Sequence, residues 1–178
     1  MADDTTAIEE TIAVLNLSTS FLTNATSPEK QRIALAKAQA TVVWLQTFHV
    51  PSLRRKHKTE VLVTNLGRGK LVLEGTDAQA WEKSIQSTLK KVVTEDLGNM
   101  NATELIPTIP ETDPEGRGMQ DLQATEKKLS VKIVFDEDTG HVFLVGDAKK
   151  LEKKCFVLRN MLSHYHWRLS GTDVVFSK

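Results

Sequence analysis

Between Thr6 and Thr23, Ile8, Ile12, Leu15 and Leu22 recur at helical spacing, with Glu9 and Glu10 near the positive end of the helix dipole. The pattern predicts a first amphipathic helix. Ser27-Pro28-Glu29 then reads as an N-cap with proline at the first helical position. The helix it opens runs through Ile33, Ala36, Ala40, Val43 and Trp44 towards Phe48, and Pro51 is expected to end it.

The pattern next changes period. "EVLVTNLGRGKLVLEG" carries two β-rich runs around a turn containing Gly67 and Gly69, which predicts a hairpin. Thr76 or Asp77 caps the helix that follows, whose apolar face is Trp81, Ile85, Leu89 and Val92. From Gly98 to Gly118 the chain is rich in Asn, Thr, Pro and acids, as expected of a linker with at most a short strand near Leu105 to Ile109. "KLSVKIVFDEDTGHVFLVGD" predicts a second hairpin turning at Asp138-Thr139-Gly140. A helix on Leu151, Cys155, Leu158 and Leu162 follows, then a cap at Gly171 and an edge strand in "DVVF".

The expected fold class is therefore α+β, an N-terminal helical hairpin followed by two β-β-α units. The expected division is 1–97, a linker at 98–114, and a second domain at 115–178. Written together, "LVLEGTDAQAWEKSIQ" and "VFLVGDAKKLEKKCF" align with a one-residue gap. Asp77 meets Asp147, Ala78 meets Ala148, Trp81 meets Leu151, and Glu82-Lys83 meets Glu152-Lys153. Either the chain holds an internal repeat, or both segments use the residues that any hairpin needs before a capped helix.

Composition narrows the function classes. At 178 residues and 40% hydrophobic content the chain can build a core, and one cysteine rules out an intrachain disulfide framework. No apolar run reaches the roughly 18 residues needed to span a bilayer. The start, Met1-Ala2-Asp3-Asp4, is acidic where a signal peptide is basic and then apolar, so an intracellular protein of nucleus or cytoplasm is expected. The sequons at Asn16, Asn24 and Asn101 are then chance matches.

Enzyme signatures are missing: there is no phosphate-binding P-loop, nucleophile elbow, H-E-x-x-H or cysteine pair. Cys155 falls on an apolar helix face, as a buried structural thiol does. His164 and His166 point to different sides of the expected helix, and His49, His57 and His141 lie in separate segments, so neither a metal site nor another cofactor is implied. Asp136, Glu137 and Asp138 read as a solvated turn rather than an acid/base pair. The expected protein is not an enzyme.

Charge is informative only locally. The formal net charge is zero, yet residues 28–70 hold nine basic against two acidic side chains, a net of +7. Arg54, Arg55, Lys56 and Lys58 stand together beside His57, a cluster able to neutralise phosphates or, alternatively, to serve a helix end by favouring its negative pole.

The order of elements in residues 105–169 resembles a type I KH domain, an RNA- and single-stranded-DNA-binding module. In that family a strand and short helix lead to a G-x-x-G loop, a second helix, two more strands and a long third helix. Here "LIPTIP" stands for the first strand, "GRGM" for the loop, "MQDLQATEKKL" for the second helix, "VKIVF" and "HVFLVG" for the strands, and "AKKLEKKCFVLRNML" for the third helix. The resemblance implies Gly116, Arg117 and Gly118 at a nucleic-acid backbone, and Leu122, Val131 and Ile133 lining an apolar groove for unstacked bases with Lys132 at its edge. The same types of residue also serve as core and exposed strand positions. Only the hairpin and helix of residues 60–93 match in the first half, which reads as a degenerate copy.

Two functions follow. The first is a non-catalytic binding protein of RNA or single-stranded nucleic acid, using residues 54–58 and the glycine loop. The second is a protein-interaction subunit on a KH-like scaffold. It draws on Met119 in place of the last loop glycine, on the acids around Pro114, and on low aromatic content. That second reading expects an exposed apolar patch near Trp44 and Phe48 or Tyr165 and Trp167.

Overall fold

The computed structural model describes residues 11–58, 60–99, 117–136 and 138–154, with the backbone course alone for 117–122. It is a mixed α+β structure with two three-stranded antiparallel sheets, divided into compact units of residues 1–91 and 92–178. The boundary falls ahead of the expected one, because Val92 opens a strand instead of closing a helix face. Among the described residues no helix is long and apolar enough to cross a membrane.

The first unit begins with a correction. Residues Thr11–Asn16 form a strand, β1, and only Ser18–Leu22 are helical, as α1. Alternation decides it: Ala13, Leu15 and Leu17 are buried while Ile12 and Val14 are exposed, a period of two that a helix cannot bury on one side. The long helix α2, Pro28–Trp44, starts as expected, with the Ser27 hydroxyl accepting the Lys30 N–H at 3.2 Å. Its buried stripe is Ala34, Ala38, Thr41, Val42 and Leu45, with Ala40 and Trp44 also inside.

Pro51 does not end that helix. A π-helical turn, Leu45–His49, leads directly into α3, Val50–Lys56. In the wide turn the Val50 N–H donates to the Leu45 carbonyl, and proline is tolerated at the first positions of α3, where no intrahelical donor is needed. Trp44 is buried and Phe48 half-buried, so no apolar patch opens there; Tyr165 and Trp167 lie outside the described residues.

The hairpin is as expected: β2, Leu62–Gly67, and β3, Lys70–Gly75, join through Gly67-Arg68-Gly69, all three at positive φ. Strand β3 is central, antiparallel to β1 on one side and β2 on the other. Helix α4, Ala78–Leu89, packs on β1 and β3, and α2 on β3, burying Ala13, Leu15, Leu71, Leu73, Trp81 and Ile85 between them. On the opposite sheet face Ile12, Val14, Leu62 and Leu66 are exposed.

The second unit repeats the strand order. Strand β4, Val92–Asn99, pairs with β6, His141–Asp147, which pairs with β5, Lys132–Phe135, all antiparallel. Strand β4 was not expected: the linker pattern assigned to 98–114 starts inside it, and the expected strand at 105–109 lies outside the described residues. Helix α5, Arg117–Leu129, precedes β5, and residues 148–154 are helical, with the Asp147 carboxylate accepting the Lys149 and Lys150 N–H groups at 3.0 and 3.3 Å. The core is Val131, Ile133, Val142, Leu144 and Leu151.

The two units share one detail. A Cβ placed on Gly75, at the end of the central strand β3, would fall 2.7 Å from the Glu60 carbonyl and 3.3 Å from the Val61 Cα. On Gly146 it would fall 2.9 Å from Val131 Cγ2 and 3.3 Å from the Ser130 carbonyl. Each glycine lets the central strand cross close to the residue pair leading into its neighbour. Trp81 and Leu151, aligned in sequence, are both buried. Cys155, Gly171 and "DVVF" lie outside the described residues.

Candidate nucleic-acid interface

The cationic cluster lies where α3 ends. Arg54, Arg55 and Lys56 form its last turn, His57 leaves the helix in an extended conformation, and Lys58 follows. All four cations are exposed and have no ion-pair partner among the described residues. Cations at this pole also complement the helix dipole, a term of at most about 1 kcal/mol at an exposed site. Arg54, His57 and Lys58 line a cavity of about 570 Å³ together with Val61, Leu62, Gly75 and the carboxylates Glu60 and Glu74.

A second concavity was not legible in sequence. Phe21 and Asn24, from α1 and the loop after it, face Lys30, Ile33 and Lys37 of α2 around a cavity of about 210 Å³. Its floor is apolar and two lysines flank it. Lys30 and Lys37, seven apart, share one side of the helix, but only the docking of α1 makes that side a cleft.

The residues marked in the second unit separate. Gly116 lies outside the described residues; Arg117, Gly118 and Leu122 belong to α5, so the chain is already helical at Arg117, and Met119 stands in its first turn. Val131 and Ile133 are corrections: at 0% and 5% exposure they are core residues and line no groove open to bases. Lys132 is half-buried, and its Nζ lies 3.1 Å from Glu126 Oε2. The same Glu126 oxygen accepts the Ile133 N–H at 2.9 Å, satisfying a backbone donor on the free side of edge strand β5.

Glu126 therefore binds helix to sheet, and its removal has a defined cost. Glu126→Ala should destabilise the chain by about 2 kcal/mol, since the Ile133 donor is left buried without its acceptor. Glu126→Gln keeps an acceptor and should recover at least half of that, read from urea midpoints of the two variants.

His49, closing the π turn, places Nε2 3.4 Å from both Ser84 Oγ and Thr88 Oγ1 of α4. Burial pushes its pKa below the ordinary 6.5, because the charged ring is poorly solvated there. The unfolded chain thus takes up the proton first. The stabilisation is complete above about pH 6.5 and is lost as pH falls through the lowered folded value. His49→Gln should flatten stability between pH 7.5 and 5.5, measured as urea midpoints at both ends.

Among the described residues no three His, Cys, Asp or Glu side chains gather as metal ligands. No protein-family model, characterised protein or solved structure matches the chain.

Proposed function

We propose that the chain is a non-catalytic binding protein for RNA or single-stranded nucleic acid, built of two KH-like halves. The observation that carries this reading is the set of four exposed cations, Arg54, Arg55, Lys56 and Lys58, without an ion-pair partner among the described residues, two of which line an open cavity. Such side chains cost little to bring to a phosphate backbone, because no ion pair among the described residues has to be broken.

Element order supports the KH-like part. With α2, the π turn and α3 taken together as one long helical segment, the first unit runs strand, short helix, long helix, strand, strand, helix, the order of the family the sequence resembles. Where that family carries its glycine loop, this unit has Thr23-Asn24-Ala25-Thr26-Ser27, with no glycine for close backbone approach. Phosphate contact then falls to side chains, and Lys30 and Lys37 flank the adjoining apolar cleft. The second unit runs strand β4, then α5, β5, β6 and a helix.

The test is titration of the full chain with a mixed-sequence single-stranded RNA pool at low and moderate salt. Binding that weakens steeply with salt is expected. No binding at low salt overturns the proposal. A second reading, a protein-interaction subunit, is favoured by a different feature: the open apolar sheet face of the first unit.

A further inference from the structure

The sheet of the first unit buries one face under α2 and α4 and, among the described residues, leaves apolar side chains of the other exposed. Ile12, Val14, Leu62 and Leu66 on that outer face are 62%, 59%, 60% and 59% exposed. The strand register arranges the face in rows. Ile12, Glu74 and Leu62 form one end row, and Val14, Val72 and Thr64 the middle. At the far end Asn16 pairs with Lys70, and Leu66, in the bulge of β2, lies beside them. The second unit differs on its corresponding face, where Phe143 and Val145 are fully buried.

We propose that this outer face pairs with the same face of a second copy of the chain, the two β3 strands running antiparallel. The charges select the occupant and its orientation. Lys70 and Glu74 stand at opposite ends of β3, either side of Val72, so the face is complementary to itself. A two-fold axis along the middle row sets Lys70 against Glu74 of the second copy, Leu62 against Leu66, and Val72 against Val72. The parallel arrangement would stack lysine on lysine and glutamate on glutamate, which like-charge repulsion disfavours.

Other occupants fit less well. The apolar side chains of the face are aliphatic, so it offers no aromatic platform on which bases stack. On the face itself one lysine and one glutamate cancel. The further charges, Arg54, Lys58 and Glu60 around the cavity shared with Leu62 and Glu74, stand at one end only. No net positive charge therefore spreads over the apolar rows to attract an anionic lipid surface. Three strands about 4.8 Å apart and six residues long make a face of about 300 Å² in plan. That is well below the roughly 800 Å² per partner of a standard interface. The pairing is therefore weak and concentration-dependent, with a dissociation constant on the order of 100 μM.

Sedimentation equilibrium of the full chain from about 10 to 500 μM tests the pairing. The wild type should shift from monomer towards dimer. Lys70→Glu and Glu74→Lys, each alone, should raise the dissociation constant at least about tenfold, and the double exchange should return it to within about threefold of wild type. Val14→Asp sets two carboxylates face to face near the axis and should abolish association. All three positions are exposed or half-buried on the sheet, and an unchanged circular dichroism melt verifies folding of each variant. A wild type that stays monomeric at 500 μM overturns the proposal. So does a double exchange that dimerises no better than the singles, which would point to charge-independent association. Association that appears only with added RNA would assign the face to nucleic acid instead.

Discussion

Gly69→Ala is expected to lower the stability of the first unit by about 3 kcal/mol, a fall in melting temperature of roughly 15 °C. Two costs combine. Gly69 sits at φ +79°, a conformation that costs an L-residue about 1–2 kcal/mol. A Cβ there would also lie 2.5 Å from the Ala38 Cβ and 3.3 Å from the Ser18 N, so the hairpin tip could no longer rest on α2, which adds about 1–3 kcal/mol. Its amide donates to Gln39 Oε1 at 3.0 Å and its carbonyl accepts the Leu17 N–H at 2.8 Å, so the backbone is tied on both sides and cannot withdraw. Gly67 is the internal control. At φ +82° with nothing within 4 Å of its added Cβ, Gly67→Ala should carry only the conformational cost, about 1 kcal/mol. If the two variants melt together, the contact with Ala38 is unimportant. If Ala38→Gly recovers part of the Gly69→Ala loss, the clash is located.

Joint replacement of Arg54, Arg55, Lys56 and Lys58 by alanine should weaken single-stranded RNA binding on the order of a hundredfold at low salt. The slope distinguishes this from a folding defect. Four lost phosphate contacts reduce the salt dependence, log K against log salt, by about 2.8. Over a fourfold rise in salt, that share alone amounts to about fiftyfold in affinity. The side chains are exposed and the backbone hydrogen bond from His57 to the Leu53 carbonyl, 2.9 Å, does not depend on them. The variant should therefore melt close to the wild type, apart from the loss of favourable charge at the α3 terminus. An unchanged slope would move phosphate contact elsewhere, with Lys30 and Lys37 the next positions to replace.

Both predictions rest on elements that the sequence revealed unevenly. The hairpin at Gly67 and Gly69 was legible because positive φ selects glycine and β-branched runs flank it. The cationic cluster was legible because its residues are contiguous. Strand β1 was not. Ile8, Ile12, Leu15 and Leu22 fit a helical stripe, and the competing alternation of Ala13, Leu15 and Leu17 acquires meaning only when β3 arrives to pair with it. Strand β4 failed for a similar reason: "VVTEDLGN" is too polar to stand out, and its partner β6 is some 45 residues away, as His141 Nδ1 at 2.9 Å from Asp96 Oδ1 illustrates. Val131 and Ile133 show the opposite error. Their spacing after the glycines suited a groove, but an alternating run reports a buried face without saying whether helix or ligand covers it. The cleft between Phe21 and Lys37 could not be read because it belongs to neither helix separately.

The π turn at Leu45–His49 has a consequence for chain length. The buried stripe advances in steps of three and four through Ala38, Val42 and Leu45, then steps five to Val50 before resuming at Leu53. A regular helix of the same sequence would swing Val50 about 100° away from that line and turn every later side chain with it. The wide turn absorbs one surplus residue locally, so the helix on either side stays in phase. A chain one residue shorter between Leu45 and Val50 would bury the same stripe through ordinary helix. The wide turn thus keeps Val50 and Leu53 on the buried line and leaves Arg54 and Arg55 exposed.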